Sequence, residues 1–175
     1  MTTKQFIETT FIHQVGELVQ TMPYIAFMTM GIGIEFMGKC LNAGNWHEEG
    51  VSRKRFEEAI NNLASFSNYR HLIGKQSQFD LYGSLRCGLA HAAAPKFPLT
   101  LSSKKEMANL TVHSNNQRVN LRCEDFYADF KAAWEELFLM GSPVAEKLGQ
   151  PFLFVPDYEN GNLVGSTPIT HSLAK

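Results

Sequence analysis

The chain is 175 residues long, with 44% hydrophobic and 19% charged residues, which fits one globular domain and argues against extended disorder. Its formal net charge is −1. This argues against a broad basic surface for nucleic acid, so any RNA contact must be local or must combine the basic residues of two copies. No basic-then-apolar signal pattern opens the sequence, so we expect a cytoplasmic protein whose cysteines are reduced thiols.

Two helices are predicted in the first 42 residues. Apolar residues recur at helical spacing across residues 3–20. Pro23 shortly after a threonine is typical of a helix start, and the second helix is predicted to run to about Asn42. Residues 22–38 carry one charge, Glu35, and fall short of the roughly 20 apolar residues that cross a bilayer. We therefore interpret this stretch as a buried core helix and expect no membrane contact.

Two further helices are predicted in the middle of the chain. A third helix follows Ser52, with apolar residues at helical spacing as far as Phe66. A fourth is predicted over residues 79–93, where Pro95 and Pro98 end it.

The last third of the chain mixes strands with one long helix. Short strands are predicted at 97–101, 110–112 and 117–121, and the polar residues 114–116 are typical of a hairpin turn between the last two. Residues 124–140 have the apolar spacing of a final helix. The Pro- and Gly-rich tail is expected to form loops, with one strand at 152–155.

Together these elements predict a mainly α fold. We expect one helical domain over residues 1–141, with a small β-hairpin at about 97–121 inserted before the last long helix. Residues 142–175 are expected to form a tail packed on the same domain.

The fourth helix has two unlike faces. Leu81, Leu85 and Leu89 fall on one side and are expected in the core. On an ideal α-helix the opposite side carries a stripe about 60° wide made only of small residues. Its members are Gly83, Cys87, Ala90 and Ala94. Small residues allow two backbones to approach closely, so we predict that this stripe lines a homodimer interface.

Arg86 and His91 flank the stripe on opposite sides. They are five residues apart, about 140° around an ideal helix, so one copy of the helix does not bring them together. Two-fold symmetry, or a bend in the last turn, would move each Arg86 toward a His91. We predict that the two side chains lie close together in a cleft open to solvent.

From about residue 22 to residue 140 the chain resembles the HEPN family. The resemblance rests on the Arg-x-x-x-x-His spacing of Arg86 and His91 at the end of a helix, on Gly-Ile-Glu-Phe-Met-Gly at residues 33–38, and on Leu-Arg-x-Gly-Leu-x-His-x-x-x-Pro at residues 85–95. It implies a bundle of four or five helices, often dimeric. It also implies that Arg86 and His91 form a metal-independent endoribonuclease centre at the dimer interface, without a cofactor. RNA would be the substrate, and an antitoxin protein would be a possible partner in a toxin–antitoxin or defence system.

The residue types suit that chemistry. Attack by the RNA 2′-hydroxyl requires proton transfer, which an imidazole that titrates near neutrality can perform. It also builds negative charge on the phosphate, which a guanidinium stabilises well.

Other interpretations of these residues remain open. Active family members usually carry a polar residue after the arginine, and Cys87 stands there instead, which favours a catalytically inactive dimeric interaction or ligand-binding module. Arg86 could be an ion-paired interface residue, and His91 a helix-capping residue. Glu35, the one charge in residues 22–38, is expected to pair structurally with Arg86 or His91, or to reach the surface at the helix edge. Cys87 and His91 lack the further ligands that a zinc site needs, so we expect no metal.

Overall fold

A long buried helix, α3 (Pro23–Leu41), is the centre of the fold. The computed structural model describes residues 1–42, 48–103, 107–112 and 117–152, together with the backbone of two short paired strands, β3 (Tyr158–Glu159) and β4 (Asn162–Leu163). Within these residues the protein is mainly helical with a small β insert, so the predicted fold class is confirmed.

The α3 helix begins and ends as predicted. Pro23 occupies its first turn, where a missing N–H costs nothing, and Asn42 follows its end in an extended conformation. Its buried side chains include Phe27, Met30, Ile34 and Met37. It packs against α2 (Val15–Thr21), α4 (Ser52–Asn62) and α6 (Cys123–Phe138). By length and composition alone α3 could cross a membrane, and half of its apolar window is buried inside the protein. A buried core helix and a signal sequence both meet these criteria, so they are weak evidence for a membrane span.

The predicted first helix forms, but a π-helical segment interrupts its α-helical geometry. It consists of α1 (Thr3–Ile7), a π-helical segment (Glu8–Gln14) and α2 (Val15–Thr21). A capping box between Thr2 and Gln5 starts the helix. The hydroxyl of Tyr127 donates to the carbonyl of Ile12 inside the π-helical segment (2.7 Å), an interaction between distant parts of the chain.

The predicted third helix is shorter than expected and is followed by a second helical segment. The α4 helix (Ser52–Asn62) ends before the 3₁₀-helical segment Ala64–Leu72. The carboxylate of Glu136 accepts hydrogen bonds from the backbone N–H of Ala64 (2.9 Å) and Ser65 (3.1 Å), and from the Ser65 hydroxyl (3.1 Å). The distant carboxylate thus supplies the acceptors that the start of the 3₁₀ segment lacks.

We expect Glu136→Gln to lower the free energy of unfolding at pH 7 by about 1 kcal/mol, as the loss of a helix cap does. Burial opposes ionisation of Glu136, but its hydrogen bonds outweigh burial and hold its pKa below the ordinary value. Its contribution is therefore complete above the unfolded pKa of about 4.3 and is lost as the pH falls through the depressed folded pKa. Urea unfolding at pH 7 and at lower pH measures this.

Glu135→Gln is the matched control, because Glu135 is exposed and pairs only at the surface with Lys131 (3.7 Å). It should leave the unfolding midpoint nearly unchanged. A Glu136→Gln effect of equal size at pH 7 and at pH 3 would contradict the assignment of this cap.

The β insert pairs in a way that the sequence predicts only in part. Strand β1 (Leu99–Ser102) runs parallel to β2 (Val119–Arg122), with Leu99 opposite Val119. On the other side of β2, Val112 forms an antiparallel bridge with Val119, as the predicted hairpin requires. The predicted turn residues 114–116 lie outside the described residues. The insert is therefore not a simple hairpin, because β1 adds to it in parallel.

The final long helix, α6 (Cys123–Phe138), begins within one residue of its predicted start and carries much of the aromatic core. The Trp134 ring stacks on Phe11 (5.7 Å between centroids) and meets Phe130 edge to face (6.2 Å).

The tail contains a helix that was not predicted. The α7 helix (Val144–Gly149) packs against α1, α3 and α6. The ammonium of its buried Lys147 donates to the carbonyls of Lys39 (2.9 Å) and Asn42 at the end of α3. Most of the strand predicted at 152–155 lies outside the described residues, and Phe152 itself is not in a strand.

Candidate functional site

The candidate site centres on an ion pair between α3 and the fourth predicted helix. That helix consists of a π-helical segment (Tyr82–Cys87) and α5 (Gly88–Ala92). Arg86 Nε lies 2.8 Å from Glu35 Oε2, and the two side chains are only 21% and 13% exposed. Glu35 is thus the partner of Arg86, one of the three roles that the sequence left open for it.

The two helices lie close together at this point. A Cβ on Gly31, one turn before Glu35 on α3, would lie 3.5 Å from the Arg86 Cα, an ordinary contact distance. The backbone that carries Arg86 therefore lies directly on α3. The guanidinium is held by both its own backbone position and the Glu35 carboxylate.

Tyr82 and Cys87 adjoin this ion pair. Burial, and then a hydrogen bond with the Cys87 thiol, raise the pKa of Tyr82, while the charge of Arg86 lowers it. Phe56 meets the Tyr82 ring edge to face (5.5 Å), and the Arg53 guanidinium lies 4.7 Å from its centroid. The position of Tyr82 beside Arg86 depends on the folded chain.

His91 lies in the last turn of α5 with its side chain exposed to solvent. The helix ends at Ala93, which adopts the left-handed conformation (φ 49°) that glycine usually occupies. The Tyr24 hydroxyl, near the start of α3, donates to the Ala93 carbonyl. This contact fixes the end of the helix that carries His91 against α3, whose Glu35 also pairs with Arg86.

The four residues of the predicted small-residue stripe lie in different surroundings. Gly83 is half-buried, and a Cβ there would lie 2.3 Å from Asp80 Oδ2, so this carboxylate occupies the space beside the glycine. Cys87 is half-buried beside Tyr82, whereas Ala90 and Ala94 are exposed. The π-helical turn changes the angle between Gly83 and Cys87 from that of an ideal α-helix. Ala94 lies beyond the end of α5.

An ion-pair network holds the start of this helix. Asp80 receives two hydrogen bonds from the Arg53 guanidinium, at 2.6 Å and 3.0 Å, and one from the Gly83 N–H at 3.3 Å. The hydrogen bonds from Arg53 in particular lower the pKa of Asp80, although burial opposes them. Asp80 could have been picked out from the sequence as a charged residue two positions before Tyr82. Nothing in the sequence identifies Arg53 as its partner.

Apolar side chains remain exposed on α3 beside the ion pair. Ile25 and Ile32 are 42% and 46% exposed. They are seven residues apart, so they share one face, and Ile32 lies one turn before Glu35. The exposed side chains of Ala90 and His91 belong to the helix that packs against α3 through Arg86.

Neither a group of metal ligands among the described residues nor a related protein points to the function of this site. In the part of the chain that the structure describes, no three His, Cys, Asp or Glu side chains are grouped so that they could hold a metal ion. No protein-family model matches the sequence, and no curated protein or solved structure matches it significantly.

Proposed function

We propose that this protein is a HEPN-like domain that acts as a metal-independent endoribonuclease, with Arg86 and His91 at the interface between two copies. The observation that carries the proposal is the placement of these two residues. The Arg86 guanidinium is fixed by Glu35 at 2.8 Å, and His91 is exposed in the last turn of the same helix. The chemistry needs a positioned cation and a titratable group that RNA can reach.

Each side chain has a role that fits its position. A guanidinium has five N–H donors, and the Glu35 contact uses the donor on Nε. The terminal nitrogens of Arg86 supply the donors proposed for the phosphate. His91 is the proposed general acid–base, because imidazole titrates near neutral pH. Glu35 is a positioning residue, since it acts through Arg86.

A second copy is proposed to complete the site. The exposed Ile25 and Ile32 side chains and the small Ala90 side chain offer an apolar surface beside Arg86 and His91. An isologous interface there would place the Arg86 of each copy near the His91 of the other. Two copies would also double the local positive charge, which a chain of net charge −1 needs for RNA. The proposed cytoplasmic RNA cleavage would require restraint, for which an antitoxin protein is the proposed partner.

Ile32→Glu is expected to convert the proposed dimer into a monomer, because it places like charges and desolvated carboxylates against each other across the two-fold axis. Ala90→Phe should act in the same direction by overpacking the contact. Sedimentation equilibrium measures the mass. Leu139→Glu is the matched control, since Leu139 is 89% exposed at the end of α6 and should leave the mass unchanged. A monomeric parent protein would contradict the interface.

The decisive experiment is incubation of the purified protein with mixed-sequence RNA in EDTA. Cleavage should persist without metal, and the products should carry 2′,3′-cyclic phosphate or its hydrolysed form. DNA of the same sequence should stay intact, because it lacks the 2′-hydroxyl. Cleavage that EDTA abolishes would rule out the proposed mechanism.

One observation favours a second function, a catalytically inactive dimeric module. Active members of the resembled family place a polar residue after the arginine, whereas Cys87 contacts Tyr82 here and Arg86 is already engaged by Glu35. The dimer would then serve binding of a ligand or a protein. Absence of cleavage across varied RNAs, with an intact dimer, would identify this function.

A further inference from the structure

An alanine in the left-handed conformation ends the helix that carries His91. Ala93, the residue after α5, has φ 49° and ψ 28°. In this conformation the Cβ of an L-residue crowds the following carbonyl oxygen, which is why glycine usually occupies such a cap. Another residue keeps the conformation only where its surroundings hold it there. The contacts around Ala93 therefore decide whether the last turn of α5 keeps its shape.

The helix and a distant tyrosine hold the two sides of Ala93. The N–H of Ala93 and the N–H of Ala94 (3.4 Å) both donate to the Gly88 carbonyl. The Ala93 carbonyl lies past the last turn, and the last carbonyls of a helix have no N–H partner within it. The Tyr24 hydroxyl, from the first turn of α3, is the donor to this carbonyl. One hydroxyl from another helix thus fixes the carbonyl side of the strained residue.

The chain reverses its direction directly after Ala93. The N–H of Lys96 donates to the Ser84 carbonyl (3.0 Å), one turn before Gly88. A Cβ on Gly88 would lie 2.7 Å from the Ala94 carbonyl oxygen and 3.0 Å from the Lys96 nitrogen, so the returning backbone lies against this glycine. Ala93 is therefore the point at which the chain turns back. A change in its backbone angles would move the last turn of α5 relative to the returning segment.

His91 depends on this turn more than Arg86 does. Arg86 has the Glu35 carboxylate at 2.8 Å, which anchors its side chain directly. The side chain of His91 is exposed and α5 is five residues long, so the position of the imidazole follows from the backbone of this short turn. Helix ends fray unless a cap holds them. An acid–base group must be held at the correct distance from the reacting atoms.

We propose that Tyr24 is a positioning residue for His91: its hydroxyl holds the Ala93 carbonyl, and the left-handed cap holds the last turn of α5 in place. The catalytic part of this inference rests on the proposed function, to which it adds a residue from outside the Arg-x-x-x-x-His spacing. The conformational part concerns the free protein and is measured without RNA. Tyr24 acts through the backbone of α5, and no contact with RNA is proposed for it.

Amide hydrogen exchange followed by NMR measures the conformational part. Tyr24→Phe removes the hydroxyl and keeps the ring. The amides of Ala93 and Ala94 should then exchange about 2- to 10-fold faster, the range for loss of one hydrogen bond. Tyr127→Phe is the matched control, because the Tyr127 hydroxyl also donates to a backbone carbonyl, that of Ile12 (2.7 Å), in another part of the fold. It should leave the exchange of Ala93 and Ala94 unchanged.

Ala93→Gly provides a rescue that separates positioning from general stability. Glycine adopts the left-handed conformation without the Cβ clash, so the cap no longer needs the Tyr24 hydroxyl. In the double variant Tyr24→Phe/Ala93→Gly, the Ala94 amide should return to near the parent exchange rate. Single-turnover cleavage in EDTA should follow the same order. Tyr24→Phe should lower the rate at saturating protein by up to the factor by which exchange rises, at an unchanged half-saturating concentration, and the double variant should restore it.

Exchange of Ala93 and Ala94 that is unchanged in Tyr24→Phe, or equally faster in Tyr127→Phe, would overturn the inference. So would a double variant that exchanges as fast as Tyr24→Phe, since the hydroxyl would then serve stability alone. Cleavage that Tyr24→Phe leaves at the parent rate would reject the catalytic part. RNA left intact by the parent would remove the ribonuclease and the catalytic part together, whereas faster exchange in Tyr24→Phe with rescue by Ala93→Gly would still uphold the hold of Tyr24 on the turn that carries His91.

Discussion

Arg86→Ala is expected to lower the rate of RNA cleavage at least about 100-fold, the usual cost of losing a group that stabilises developing charge. His91→Ala should lower it by at least a similar factor, through loss of proton transfer. Single-turnover cleavage of a labelled RNA in EDTA measures both rates. The two losses should be less than additive in the double variant if the side chains act on the same step.

The controls separate chemistry from folding. Arg86→Ala leaves the half-buried Glu35 without its cation, so its melting temperature is measured beside its rate. His91 is exposed, so His91→Ala should preserve the fold and is the cleaner test. Arg122→Ala removes an arginine of similar exposure that pairs with Asp125, and His71→Ala removes another exposed histidine. Both controls should keep full activity, and cleavage unchanged in His91→Ala would refute the proposed role of His91.

The second large effect is expected at Gly38, where α3 and α4 meet. A Cβ there would lie 1.9 Å from the carbonyl oxygen of Arg55 and 2.4 Å from its carbonyl carbon. Both are backbone atoms, so one of the two helices must shift. We expect Gly38→Ala to lower the free energy of unfolding by about 3 kcal/mol, at the upper end for overpacking. For a domain of this size that is about 6–12 °C in melting temperature.

Gly31→Ala in the same helix is the matched control. Its new Cβ would meet Arg86 at 3.5 Å or more, which is ordinary contact. Alanine also favours the helix over glycine by up to about 1 kcal/mol, so this variant should be neutral or slightly more stable. Calorimetric melting of the two variants measures the difference. Equal melting temperatures would show that α3 and α4 are not packed as closely as described.

Hydropathy and helix signals along the chain are enough to predict the main helices. The apolar run after Pro23 predicts α3 because proline suits the first turn and the apolar residues suit burial. The spacing of Phe126, Phe130, Trp134 and Leu137 similarly predicts α6. These signals are local, so a linear sequence contains them. Arg86, His91 and Glu35 stand out for the same reason, as unusual residues in apolar helices.

Tertiary contacts decide what local signals cannot. The parallel addition of β1 to β2 depends on hydrogen bonds between strands that are 20 residues apart in sequence. The π-helical geometry at Tyr82–Cys87 changes the angle between Gly83 and Cys87 from the one that an ideal α-helix predicts. The pairing of Arg86 with Glu35, rather than with another carboxylate, follows from the packing of two helices 51 residues apart in sequence. Which carboxylate pairs with an arginine depends on the distance between the two groups in the folded protein. The order of residues along the chain does not give that distance.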